Sequence, residues 1–186
     1  ARTAEEAVAH AAALGGTVAL KLVHPAVVHK SEAGGVALGL SGADAVRGAF
    51  ARLKRRGMEG VLVQEMLAGG REVVLGFTND ATLGPILMFG LGGIHVEVLK
   101  DVAFAPCPVS DTRARELVHA IRGYPILAGI RGQPGIDEDA LVDTIQRVSQ
   151  LACDLTEVAE LELNPLLCFE SGVRAVDLRA RLVNGG

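Results

Sequence analysis

The chain has 186 residues, a formal net charge of −4 and a pI near 5.7, with 49% hydrophobic and 22% charged residues. Such a chain can bury an ordinary core in one or two small domains, and its acidic balance leaves no electrostatic footprint for nucleic acid or an anionic membrane. Five Phe, one Tyr and no Trp leave the core to Val, Leu, Ile and Ala and supply too few rings for base stacking.

In chain order, Thr3 followed by Glu6 is a capping-box signature, and residues 4–14 read as an amphipathic helix stopped by Gly15-Gly16. Residues 17–23 alternate, with Val18, Leu20 and Leu22 on one face and Lys21 on the other. A polar loop with His29, Lys30 and Ser31 leads through Gly34-Gly35 into a strand over 35–40. Val46, Phe50 and Leu53 mark a helix ended by Gly57. The cations Arg52, Lys54, Arg55 and Arg56 at its end are read as favouring the helix dipole.

Residues 60–66 form the next strand. Gly69-Gly70 breaks the chain before strands at 71–78 and 86–89, with Asn79-Asp80 and Gly84-Pro85 framing the turn. Residues 111–122 and 137–155 read as helices, the second with Leu141, Ile145, Val148 and Leu151 on one face. A Gly/Pro-rich connection, 123–135, lies between them. The chain closes as a hairpin, with strands at 158–164, 166–169 and 173–178 and a turn at 170–172. Two units are expected, 1–60 and 61–186.

Cys107, Cys153 and Cys168 are odd in number and lack Cys-x-x-Cys spacing. Neither a disulfide framework nor a zinc site is expected, and a reducing cytoplasm is the natural compartment. The longest apolar run, 86–94, is broken by glycines and too short to span a bilayer. The chain opens at Ala1 inside a helix-start signal and reads as a piece of a longer polypeptide.

Three places could carry chemistry. Lys21, His29 and Lys30 with flanking glycines suit an anionic ligand, because glycine amides approach phosphate oxygens closely while ammonium groups neutralise charge. Glu162 and Asn164, two apart on a strand, share a face, and the hairpin returns Asp177 opposite Asn164. Three hard oxygen donors there suit Mg²⁺, although the same spacing also describes a solvated strand face. Gln64, Glu65 and Met66 could present a strand edge and apolar walls to an adenine, with Glu72 near a ribose; an isolated Glu on a strand equally fits a surface position. Gly90-Leu91-Gly92-Gly93 fails the dinucleotide fingerprint because His95 takes the last glycine's place. His10, His24, His95 and His119 lack partners at ligand or triad spacing.

Six stretches then carry a resemblance. They are Val-His-Lys-Ser-Glu-Ala-Gly-Gly-Val (28–36), Val-Gln-Glu-Met with Gly-Gly-Arg-Glu and Gly76 (63–76), and Gly-Pro-Ile-Leu-Met-Phe-Gly-Leu-Gly-Gly-Ile-His-Val-Glu (84–97). The others are Gly-Ile-Arg-Gly-Gln-Pro-Gly (129–135), Glu-Leu-Glu-Leu-Asn-Pro-Leu (160–166) and Ala-Val-Asp-Leu-Arg (175–179). In this order they resemble the ATP-grasp domain of ADP-forming acyl-CoA synthetases, relatives of the succinyl-CoA synthetase β subunit.

The resemblance implies an α+β ATP-grasp fold, two subdomains gripping ATP, with the first strand and helix of the N-terminal one missing. It implies ATP/ADP and Mg²⁺ as cofactors. Lys21 would contact phosphates, with Lys30 and Ser31 in the phosphate-covering loop; Gln64, Glu65 and Met66 would line adenine and Glu72 the ribose. Glu162, Asn164 and Asp177 would hold Mg²⁺, and His29 would relay phosphate. The implied partner is a CoA-binding domain or α subunit carrying a phosphohistidine, through which CoA and an organic acid enter, and the full-length form is expected to be an oligomer. A regulatory nucleotide-sensing module fused to a lysine acetyltransferase is the alternative expectation. The chain departs from the family's pattern at 79–83, at Cys107-Pro108-Val109 and at Leu163 and Leu178, none of which removes a named ligand.

Overall fold

The structure, a computed structural model, describes residues 1–25, 33–55, 57–93 and 100–183. It divides into two compact units, Ala1–Ala68 and Gly69–Gly186.

In the first unit α1 (Ala4–Leu14) starts at Thr3, whose hydroxyl accepts from the Glu6 amide at 3.1 Å. The returning arm of the box reaches one residue further upstream than the pattern implies. The Glu6 carboxylate accepts from the Arg2 amide, not that of Thr3, at 2.7 Å. Strand β1 (Val18–Val23) lies between β2 (Val36–Leu40) and β3 (Gly60–Glu65) in an antiparallel sheet. Val18, Leu20 and Val61 bury against Ala7 of α1 and Val46, Ala49, Phe50 and Leu53 of α2 (Ala43–Leu53).

Two expectations need correction here. The break between units follows residue 68 rather than 60, because β3 ladders along β1 from Val18↔Glu65 to Val23↔Gly60 and so belongs to the first unit. The cations after α2 do more than face its dipole. Arg55 donates to the Ala33 and Gly34 carbonyls at 2.6 and 3.3 Å, tying the residues before β2 to the end of α2.

The second unit is an antiparallel sheet in the order β6-β5-β4-β7-β8, with β9 also on β7. Its strands are β4 (Arg71–Asp80), β5 (Gly84–Leu91), β6 (Val102–Pro106), β7 (Val158–Cys168), β8 (Val173–Ala175) and β9 (Leu178–Leu182). Helices α3 (Asp111–Ala120), α4 (Tyr124–Ala128) and α5 (Glu138–Asp154) complete it. Val73, Leu75, Phe77, Leu87, Phe89, Leu161 and Leu163 bury against Ala114, Leu117 and Val118 of α3 and Leu141, Val142, Ile145 and Val148 of α5.

Strand β6 and helix α4 fall where the sequence reading gives no element. The five residues of β6 have too short an alternation to stand out, and α4 has Pro in its first turn, where the missing amide breaks no bond. The final segment also differs from expectation. Strand β7 runs unbroken through Asn164-Pro165, and the return splits at Val176-Asp177 into β8 and β9, both paired with β7.

The reason lies in the ladder. Leu163 pairs with Leu75 and Leu166 with Val73, so β7 advances three residues while β4 advances two. The extra residue is a bulge, and it reverses the alternation. Leu161 and Leu163 before it and Leu166 and Cys168 after it therefore all enter the same core.

Asp137 fastens α5 to this hairpin. Its carboxylate accepts from the Ala140 amide at 3.0 Å, as an N-cap, and from the Gly172 amide at 2.8 Å in the β7–β8 turn. These two bonds hold its pKa below the ordinary 3.8, so the charged form is favoured in the folded state. Its contribution to stability is present above pH 3.8 and is lost as pH falls through the lower, folded value. Asp137→Ala should lower the melting temperature at neutral pH, and the gap from wild type should close in melts taken below pH 3.8.

Candidate functional site

Within the second unit the sheet has two unlike faces. Alternate residues of β4, Val73, Leu75 and Phe77, enter the core, so Glu72, Val74, Gly76, Thr78 and Asp80 lie on the face away from the helices, where Val74 is itself fully buried. Register extends this open face into two rows. In one, Arg179, Glu162, Gly76, Met88 and Phe104 lie side by side across β9, β7, β4, β5 and β6. In the next, Arg181, Glu160, Thr78, Ile86 and Pro106 do so. A cavity of about 450 Å³ opens on these rows, lined among others by Gly76, Thr78, Asp80, Met88, Phe104 and Glu162.

The oxygen donors collect where β7 bulges. The Asn164 side-chain amide donates to Glu162 Oε1 at 2.9 Å, so these two side chains do share a face. The Asn164 backbone amide donates to the Asp177 carbonyl at 3.2 Å, and Val176 N donates to the Pro165 carbonyl at 3.1 Å. The break between β8 and β9 thus sits beside the bulge, and Asp177 is held opposite Asn164. Two carboxylates and an amide whose nitrogen is committed to Glu162 leave hard oxygens, a donor set that fits Mg²⁺ completed by water and phosphate. No group of three or more His, Cys, Asp or Glu suited to a metal occurs among the described residues, so the protein alone would not enclose such an ion.

Glu72 stands at the start of β4, exposed, and the Gly92 amide donates to its carbonyl at 2.7 Å. A Cβ on Gly92 would come within 2.9 Å of the Glu72 backbone, and one on Gly93 (φ +63°) within 2.6 Å of Glu72 Oε2. The glycine run set aside as a dinucleotide loop is therefore a seat for Glu72. Sequence reasoning missed this use, although glycine at successive positions was the available signal.

The remaining candidates lie in the first unit. Lys21 is 5% exposed in the middle of β1, opposite Val36 and Leu62, on the face away from Leu20 and Leu22. Gln64 and Glu65 end β3 and pair with Ala19 and Val18, and the Met66 amide donates to the Thr17 carbonyl at 2.9 Å. Val61 exchanges backbone bonds with Ala1 at 2.8 Å on the outer edge of β3. By alternation Val63 and Glu65 turn their backbone polar groups to that same edge. His29, Lys30 and Ser31 lie outside the described residues, as does His95.

His119, read as having no partner at ligand or triad spacing, lies half-exposed on α3. Its Nε2 lies 3.1 Å from Glu138 Oε1 and its ring packs 4.3 Å from that of Tyr124, whose hydroxyl donates to Glu138 Oε2 at 3.0 Å. These contacts join α3, α4 and α5 on the outer side of the unit and serve packing. Cys107, Cys153 and Cys168 are free thiols, and burial raises the pKa of Cys107 and pushes that of Cys168 up to about 12. No helix among the described residues is long and apolar enough to cross a membrane.

A family model for the ATP-grasp domain matches residues 1–182. The chain is 44% identical to "Acetate--CoA ligase [ADP-forming] I" of Archaeoglobus fulgidus, covering 96% of this chain but only 27% of that protein. It is 41% identical to "Acetate--CoA ligase [ADP-forming] I subunit beta" of Pyrococcus furiosus, covering 96% of this chain and 81% of the subunit. It also matches acetyl-coenzyme A synthetase 1 of Ca. Korarchaeum cryptofilum. The form solved with coenzyme A and Ca-AMPCP has a TM-score of 0.94 and 37% identity over 98% of this chain and 83% of that one. The form with coenzyme A and Mg-AMPPCP, its phosphohistidine segment "pointing towards nucleotide binding site", has a TM-score of 0.86 and 36% identity over 96% and 82%. These relatives are ligases and lend nothing to the acetyltransferase-linked alternative.

Valine at position 93 would need an unfavourable left-handed backbone and would collide with Glu72. Gly93→Val should cost about 1–2 kcal/mol or more from backbone strain alone, seen as a lower denaturation midpoint, whereas Gly69→Ala, with open space around it, should show only the backbone cost.

Proposed function

We propose, since the chain belongs to the ATP-grasp domain family of the ADP-forming acyl-CoA synthetases, that it binds Mg·ATP or Mg·ADP and exchanges the terminal phosphoryl group with a histidine. That histidine would belong to a CoA-binding domain or α subunit, and the whole enzyme would interconvert acyl-CoA, ADP and phosphate with acid, CoA and ATP. The observation that carries the reading is the open face of the second unit. It sets Glu72, at one end of β4, on the same side as the Glu162–Asn164 pair beside Gly76 four residues along.

Each residue then has a task matched to its chemistry. Glu72 accepts hydrogen bonds from the ribose hydroxyls, and the backbone edge at Glu65, with Gln64 and Met66, receives the adenine. Lys21 supplies a cation to the phosphates; Lys30 and Ser31 add donors from the loop that contains His29, the candidate relay. Mg²⁺ held by Glu162, Asn164 and Asp177 would neutralise charge on the phosphate oxygens.

Transfer asks the protein mainly for positioning and charge neutralisation. A neutral imidazole uses the lone pair of its unprotonated nitrogen to form an N–P bond. The bond from phosphorus to the bridging oxygen breaks, and its electron pair leaves on ADP while the ring keeps its other N–H. Gly76 matters to this geometry because it gives the row between Glu162 and Met88 no side chain to block approach. A Cβ there would lie 2.4 Å from the Leu161 carbonyl oxygen.

Calorimetric titration of the chain with Mg·ADP checks the assignment. Lys21→Met, which preserves volume at a buried site, and Asp177→Asn should each weaken binding by about tenfold or more, some 1.4 kcal/mol, and chelation of Mg²⁺ should do the same. Wild-type affinity in both variants would discard these roles.

A further inference from the structure

On the helix side of the sheet in the second unit, two of the three thiols come together. Cys107 follows β6, and its amide donates to the Pro85 carbonyl at 2.9 Å, which prolongs the β5–β6 ladder by one pair. Two residues on, the Val109 amide donates to Ser149 Oγ at 2.9 Å, pinning the segment after β6 to α5. Ser149 is 1% exposed. Cys153 stands four residues further along α5, so it is the neighbour of Ser149 on the same helix face. Cys107 itself packs against the core. The Ser149 hydroxyl is a hydrogen-bond partner of its thiol, and Cys153 is near enough for a charge there to act on it. Cys107 and Cys153 are both partly exposed, whereas Cys168, on β7, is fully buried.

We infer that Cys107 and Cys153 form a dithiol that closes reversibly into a disulfide between the end of β6 and α5. The pair stands apart from the nucleotide reading, since Cys107 packs on the core side of the sheet and Glu72 and Glu162 lie on the other. The hydrogen bonds at Pro85 and Ser149 hold the 107–109 segment from two sides, so Cys107 is presented to α5 by a fixed backbone. Two sulfurs and a neutral hydroxyl make a poor zinc site, because zinc takes four ligands. No group of three or more His, Cys, Asp or Glu suited to a metal occurs among the described residues. The three cysteines lack the even count of a disulfide framework, which suits a bond that opens and closes and not a permanent staple.

The oxidant required is a small disulfide of the glutathione type. Burial disfavours the Cys107 thiolate, so Cys153 attacks first. Its thiolate bonds to one sulfur of the small disulfide, the sulfur–sulfur bond breaks, and the first small thiol leaves. Cys107 then loses its proton, helped by the hydrogen bond from Ser149, and its sulfur attacks that of Cys153. The second small thiol leaves with the bonding pair and takes up a proton. Two S–H bonds are lost and one S–S bond forms in the protein, while the small disulfide is reduced to two thiols.

Treatment of the chain with excess small disulfide, an acid quench and alkylation in denaturant test this. One thiol per chain, Cys168, should then be alkylated, and peptide mapping should find Cys107 linked to Cys153. Reductant should restore all three thiols. Closure should raise the melting temperature by about 5–10 °C, because the bond shortens the unfolded chain's range. In Cys107→Ser the small thiol should persist on Cys153, turning over at least about tenfold more slowly than in wild type, while Cys168→Ser should close as wild type does. Melts without oxidant check that each variant folds. A wild type that keeps a small thiol on each of the two cysteines without joining them overturns the pairing. So does a bond to Cys168 or a covalent dimer in the peptide map.

Discussion

The second unit depends on β4 being held between β5 and β7 with one residue to spare on β7. Pairing to β5 is regular from Val73↔Leu91 to Asp80↔Gly84, whereas pairing to β7 slips between Leu163 and Leu166. Without the slip, alternation would carry Leu166 and Cys168 to the open face and cost the core two of its buried side chains. With it, the core stays continuous and the irregularity of the ladder is gathered at Asn164-Pro165. Asn164 and its neighbours lie where backbone regularity is interrupted, which is also where side chains can be aimed away from the normal to the sheet.

Chemistry and packing divide along that sheet. The helix-facing side is built from Leu, Val, Ile and Phe at low exposure, with Cys168 buried among them and Cys107 and Tyr124 packed at its margin. The open side grades from Arg179 and Glu162 through bare Gly76 to Met88 and Phe104. Charged and apolar side chains therefore have separate places on one surface.

Much of this was legible in the residues. Helical spacing in α2 and α5 and alternation in β1 were strong enough to read, and the remaining strands showed as apolar runs between turn residues. The side-by-side placement of Glu162 and Asn164 followed from a period of two, and Asp177 opposite Asn164 from counting back through the Glu-Ser-Gly turn. Less visible were β6, whose five residues lean on β5 for their pairing, and α4, a single turn inside a Gly/Pro connection. The glycines at 92 and 93 were visible as a signal, but their use as a seat for Glu72 was not, because it joins residues some twenty apart through a strand register. The contact of His119 with Glu138 was hidden for the same reason, since it joins two helices.

Local patterns settled which residues could be buried and which carried charge, and the ordered motifs settled the family, because periodicity and composition act over a few residues at a time. The bulge that keeps β7 in one core, the limit of the first unit at residue 68, and the rows that set Glu162, Gly76, Met88 and Phe104 abreast were decided only on folding. Register is a choice among ladders made by distant strands, and its energy lies in which whole faces are buried together, a quantity that no short stretch of residues contains.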